Sequence, residues 1–228
     1  SICVDLKDPE AAAVVAALIS QADVVVATMR PGALIRLGLD YESVTRLRPD
    51  IVYCQAQGWP LDSPNAEAPA YDDIVQAAVG VGDMMQRVTG EPRLLPTIFA
   101  DKVCGLVVAQ AVTAALFHRS RTGEGQHVEV PMTQAMTAFM LAEHGAGAIP
   151  EPPLPQGDRP ATGYSRIMSS HRKPQRTLDG WIQMLPYAPA QFARLFTDAG
   201  EERLAGDPRL ADLPTVMVYD GYRGGAGF

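Results

Sequence analysis

Apolar positions recur along the first 55 residues in two rhythms. Val14, Val15, Leu18 and Ile19 fall at helical spacing within Glu10–Ser20, and Pro9 precedes them at a first helical turn, where its missing N–H costs nothing. Val24–Ala27 is a short continuous apolar run, the pattern of a strand buried on both faces. Ile2–Asp5 and Ile51–Gln55 read as two more strands. Pro31-Gly32 opens a short helical turn through Arg36, and Asp40 can cap Tyr41–Arg48, which Pro49 stops. Strand, helix, strand, helix, strand in this order predicts a parallel sheet with crossover helices. Ligands bind such sheets beyond the carboxyl ends of the strands, here Asp5–Lys7, Ala27–Arg30 and Gln55–Trp59.

The pattern continues more loosely. Gly58–Pro69 reads as a polar loop, and Tyr71–Val79 as a short helix with Ile74, Ala77 and Ala78 on one side. Gly80–Pro96 is expected to be irregular. Asp101–Ser120 reads as the longest apolar helix, with Leu106, Ala109, Val112, Thr113 and Leu116 facing inward, and Arg119 and Arg121 suit its carboxyl end. Gln126–Val130 alternates like a strand and Met132–Glu143 like a helix. Prolines at 150, 152, 153, 155 and 160 suggest an extended linker. Arg176–Met184, centred on Asp179-Gly180, carries a hairpin signal, and Ala188–Ala199 an amphipathic helix. Beyond Leu204 the pattern fades. The expected division is a large α/β domain at 1–144, a proline-rich linker at 145–163 and part of a small α+β domain at 164–228.

Composition narrows the function. The 228 residues are 47% hydrophobic and 20% charged, ordinary values for a globular chain. A formal net charge of -7 argues against a general nucleic-acid binder. Cys3, Cys54 and Cys104 are widely spaced, and the four histidines lack ligand spacing, so neither a disulfide framework nor a metal site is expected. No run approaches 18 apolar residues and no signal peptide is read, so a cytoplasmic location without membrane contact is the expectation. The glycine fingerprints of dinucleotide and nucleoside triphosphate sites are absent, as is a nucleophile elbow. That weighs against an NAD-dependent oxidoreductase.

Phe99-Ala100-Asp101-Lys102-Val103-Cys104-Gly105 puts a carboxylate at the mouth of the longest helix. Two readings of Asp101 stand side by side: an ordinary N-cap, or a nucleophile held by the unpaired N–H groups and positive end of the helix.

Several stretches together resemble the class III coenzyme A transferases, the family of formyl-CoA transferase, carnitine CoA-transferase and 2-methylacyl-CoA racemase. They are Val4-Asp5-Leu6-Lys7-Asp8-Pro9-Glu10, Ala22-Asp23-Val24-Val25-Val26, Arg30-Pro31-Gly32-Ala33 with Arg36-Leu37-Gly38-Leu39, Gly58-Trp59, Tyr71-Asp72 to Gln76-Ala77, Ala100-Asp101 with Gly105, and Arg121-Thr122-Gly123-Glu124-Gly125-Gln126 into Val128-Glu129-Val130. The likeness thins beyond Pro150. It implies a Rossmann-like large domain, from which this chain lacks amino- and carboxyl-terminal parts, and an interlocked homodimer at full length.

The resemblance also implies a chemistry. The aspartate matching Asp101 is the nucleophile that attacks an acyl-CoA thioester, activated by desolvation, with CoA handed on to a carboxylic acid acceptor and no permanent cofactor or metal. The CoA-contacting positions match Val4, Lys7, Thr28, Met29, Arg30, Arg36, Leu37, Gln57 and Trp59, with Lys7, Arg30 and Arg36 as phosphate partners. Thr28-Met29 departs from the family's usual acidic or Asn residue followed by Phe. Two alternatives remain: a 2-methylacyl-CoA racemase, and an inactive shortened relative serving as a binding module. The racemase branch carries His at the position of Tyr71, and tyrosine is a poor base at neutral pH.

Overall fold

A computed structural model of the chain describes residues 2–151, Gly163, Met168 and 172–210. The chain forms two compact units, Ser1–Asp83 with Arg93–Met140, and Met84–Pro92 with Leu141–Phe228.

The first unit is built on a parallel sheet of three four-residue strands, β1 (Val24–Ala27), β2 (Val52–Gln55) and β3 (Gln126–Glu129), in that spatial order. Val24 pairs with Val52, which pairs in turn with Gln126, so all three carboxyl ends lie along one edge. β2 is central and wholly buried. Around Tyr53 gather Ile19, Ala27, Leu34, Val44 and Ile51. The phenol of Tyr53 donates to the Leu39 carbonyl at 2.6 Å, and burial pushes its pKa up to about 12.

The crossover helices start and stop as their termini dictate. α1 (Pro9–Gln21) begins with Pro9 and the Asp8 carboxylate, which accepts from Glu10 N–H. α2 (Pro31–Leu37) ends at Gly38 in the left-handed region. α3 (Tyr41–Leu47) is capped by Asp40, whose carboxylate accepts from Ser43 N–H. α4 (Asp72–Ala78) and α5 (Val81–Thr89) follow, then α6 (Phe99–Thr122), α7 (Met132–Phe139) and α8 (Leu141–Gly145). In the second unit β4 (Gln175–Arg176) and β5 (Trp181–Ile182) form the expected hairpin, followed by α9 (Pro189–Asp198) and α10 (Glu202–Ala205).

Five expectations are corrected. Ile2–Asp5 is not a strand, since no described strand pairs with it and Ile2 is exposed. Gly80–Pro96 is not irregular throughout, because α5 occupies Val81–Thr89. The apolar side of α4 faces outward, while Asp72, Val75 and Gln76 are buried. In α6 the buried residues are Ala100, Val103, Cys104 and Ala115, whereas Leu106, Ala109 and Thr113 are exposed. That helix is apolar on every side, so periodicity could not select its inner face. By length and composition alone α6 could also cross a membrane, against the expectation that no run comes near; here it packs on β2, β3, α4 and α7. Most of the proline-rich linker and the tail 216–228 lie outside the described residues.

Candidate active site

At the carboxyl ends of β1 and β2 the chain opens into a cleft of about 480 Å³. Its walls are Thr28, Met29, Arg30, Ala33 and Arg36 on one side, Gln57 and Gly58 on another, and the run from Ala66 to Tyr71 on the third. Glu67 anchors that third wall. Its carboxylate accepts from Gly32 N–H at 2.6 Å, and its carbonyl accepts from Arg30 Nη1 at 3.3 Å. Gly58 lets the wall close in, since a Cβ at this position would collide with the Cβ of Ala70.

Five of the residues expected to meet the ligand therefore line one cleft: Thr28, Met29, Arg30, Arg36 and Gln57. The others stand apart from the lining. Val4 is half-buried and Lys7 exposed in the turn before α1, and Leu37 is half-buried at the end of α2. Trp59 is half-buried, and its indole N–H has no acceptor among the described residues.

Gln57 is held in one orientation. Its Nε2 donates to Glu129 Oε1 at 2.8 Å, and the same oxygen accepts from Leu61 N–H at 2.7 Å. A carboxylate only accepts, so Gln57 must turn its N–H₂ toward Glu129 and leave Oε1 over. That oxygen is buried with no donor among the described residues. Glu129 was not singled out as a site residue in the sequence. Its only signal was its place in the Val128-Glu129-Val130 stretch.

Asp101 is not an N-cap. It is the third residue of α6, Ile98 holds the N-cap position, and the Asp101 side chain is exposed rather than desolvated. No hydrogen bond or ion pair engages its carboxylate among the described residues. The neighbouring Lys102 ammonium donates to Thr97 Oγ1 at 2.7 Å. Tyr71 joins this residue to the cleft: it lines the wall, and the next residue, Asp72, accepts from Asp101 N–H at 3.1 Å.

One turn into α6, the buried Cys104 thiol is pushed up to about 11, by burial first and then by the negative charges of Asp101 and Asp72. It therefore stays a thiol at neutral pH and offers no competing nucleophile. No group of His, Cys, Asp or Glu among the described residues could hold a metal ion.

The profile of CoA-transferase family III matches residues 1–218, and the chain belongs to that family. It is 32% identical over 212 residues to a succinate–glutarate CoA-transferase of Agrobacterium fabrum, covering 92% of this chain and 52% of that protein. It is 31% identical to a probable fatty acyl-CoA transferase of Mycobacterium tuberculosis, covering 93% and 55%. Among solved structures, a CAIB/BAIF family protein from Brucella suis superposes with a TM-score of 0.77 at 28% identity, covering 96% of this chain and 58% of that one. The chain thus spans about half the length of the curated relatives it matches.

Proposed function

We propose that this chain carries the CoA cleft and the nucleophile of an acyl-CoA:carboxylate CoA-transferase. The observation that carries the reading is an unengaged carboxylate, Asp101, in the first turn of α6, linked through Asp72 and Tyr71 to a cleft that holds Arg30 and Arg36. The two guanidiniums supply charge for the phosphates of CoA, and the strand ends supply the floor.

The chemistry runs in balanced steps. The Asp101 carboxylate attacks the thioester carbonyl, the C–S bond breaks, and a mixed anhydride forms as CoA thiolate leaves. The thiolate attacks the aspartyl carbonyl and expels the first carboxylic acid as its carboxylate, leaving aspartyl-CoA thioester. The acceptor carboxylate attacks that thioester and releases the thiolate again. Thiolate attack on the acceptor's acyl carbon then gives the new acyl-CoA and restores Asp101. No net proton or electron is exchanged. The aspartate starts unengaged and so has no partner to shed before attack. The positive end of α6 lies beside it.

The test is covalent capture. Incubation with acyl-CoA followed by hydroxylamine should convert Asp101 to its hydroxamate, detected by peptide mass spectrometry, and Asp101→Asn should abolish both label and CoA exchange. Full exchange activity in Asp101→Asn would overturn the mechanism. Deuterium incorporation at the α-carbon of a 2-methylacyl-CoA without acyl exchange would assign the racemase reaction instead. Tyr71, 72% exposed, stands where that reaction requires a base.

A further inference from the structure

Asp72 and Gln76 form a buried polar pair on the face of α4 opposite Ile74, Ala77 and Ala78. Asp72 is only 8% exposed and Gln76 is wholly buried. Gln76 Nε2 donates to Asp72 Oδ2 at 2.6 Å and to the Thr97 carbonyl at 3.3 Å, while its Oε1 accepts from Leu95 N–H at 2.9 Å. The remaining carboxylate oxygen, Asp72 Oδ1, accepts from the backbone N–H of Asp101. Two acceptors on one side of the amide and a donor on the other fix the Gln76 orientation, so the pair works as a rigid clamp on residues 95, 97 and 101.

The clamp explains a peculiarity of α6. A helix usually receives its cap from the residue before it, whose side-chain oxygen takes the N–H of the third helical residue. When that third residue bears a carboxyl or amide, its side chain folds back to the N-cap N–H and completes a capping box. Here the N-cap is Ile98, which has no acceptor. Asp72, from another helix, takes the third N–H instead. That N–H belongs to Asp101, so the cap is delivered by a carboxylate from another helix, while the Asp101 side chain makes no return bond to the Ile98 N–H.

We infer that Asp72, locked by Gln76, is a positioning residue: it caps α6 from outside and thereby keeps the Asp101 carboxylate free and aimed for attack. The inference rests on Asp101 being the nucleophile. Asp72 itself touches no reacting atom.

The experiment compares rates of hydroxamate formation at Asp101 and affinity for free CoA in the full chain. Asp72→Asn turns the pair into opposed N–H donors. It should slow labelling about tenfold or more, a loss typical of a misplaced reacting group, with CoA affinity within about twofold of the parent. Asp72→Asn combined with Gln76→Glu restores a donor–acceptor contact across the pair but gives up the bond to the Thr97 carbonyl, and should recover part of the lost labelling. Ile98→Ser installs a local cap, completes the box and should slow labelling without loss of thermal stability. Amide exchange at Asp101 N–H, fast in Asp72→Ala and slow in the paired exchange, reports the cap directly in any variant that folds. Parent-like labelling in Asp72→Asn, or no recovery in the folded paired variant, would overturn the positioning role alone. Absence of any label in the parent chain would overturn the nucleophile and this inference together.

Discussion

The two ends of the parallel sheet are made of similar residues and behave in opposite ways. At the amino ends of the strands Asp23, Arg48, Asp50 and Arg119 form one network. Arg119 Nη2 meets Asp23 at 2.7 Å, its Nη1 donates to the Asp23 and Asp50 carbonyls, and Arg48 reaches Asp50 at 2.8 Å and Asp23 at 3.5 Å. Gly125 sits against the Asp50 and Ile51 carbonyls, where a Cβ has no room. At the carboxyl ends, polar atoms are left over: Gln55 Nε2, Gln57 Oε1 and Trp59 Nε1 are buried without partners among the described residues. Buried polar atoms without partners are costly, so a fold that keeps several at one edge holds them for something else. The sealed end holds the sheet together. The open end is where a ligand can be met.

Substitutions should separate the two ends. Gly125→Ala should be the most damaging, destabilising the fold by about 3 kcal/mol because the carbonyls it strikes belong to the backbone before the central strand. Urea unfolding measures it, and a parent-like midpoint would show that the amino edge is looser than described. Next, Arg36→Ala and Arg30→Ala should each weaken CoA binding roughly five- to tenfold, with a shallower salt dependence and an unchanged unfolding midpoint. Equal losses of stability and binding would erase the distinction between the ends.

The smallest effect concerns His127 on β3. Its ring stacks on Tyr41 at 4.9 Å and meets Tyr53 edge-on at 5.5 Å, though the residue as a whole is exposed. Partial burial among these rings lowers its pKa below the ordinary value, against a smaller upward pull from Glu129. Above about pH 6.5 both folded and unfolded chains carry neutral imidazole, and the full stability is present. As pH falls from there toward the lower folded pKa, the unfolded chain binds the proton first and stability declines. A shallow loss of stability below pH 6.5, absent in His127→Gln, is the expected result.

The α/β architecture was legible because its strongest signals are local. Val24–Ala27 and Ile51–Gln55 are short apolar runs, and Asp8, Asp40 and Gly38 mark helix ends by capping chemistry that acts within a few residues. The cleft was legible in part. The strand-end rule pointed to Ala27–Arg30 and Gln55–Trp59, and the family resemblance named Thr28, Arg30 and Gln57 within them, but the wall from Ala66 to Tyr71 folds over these residues through Glu67 and Gly32, a contact 35 residues apart that no local pattern encodes. Asp72 and Gln76 escaped for the same reason. A polar pair on a short helix reads as a solvated face until the partners at Leu95, Thr97 and Asp101 are seen. The inner face of α6 was misread because a helix apolar all round carries no phase.

That helix carries its own measure. Asp101 and Arg119 are eighteen residues apart, which at about 3.6 residues per turn is about five whole turns. Both residues therefore lie on the same meridian of α6, one held at its backbone N–H by Asp72 and the other at its guanidinium by Asp23 and Asp50. The helix acts as a ruler pinned at both ends. Exposed residues between the pins can be replaced without moving either one, whereas a change in their number moves both. One residue more or fewer would turn one pin by about 100° against the other.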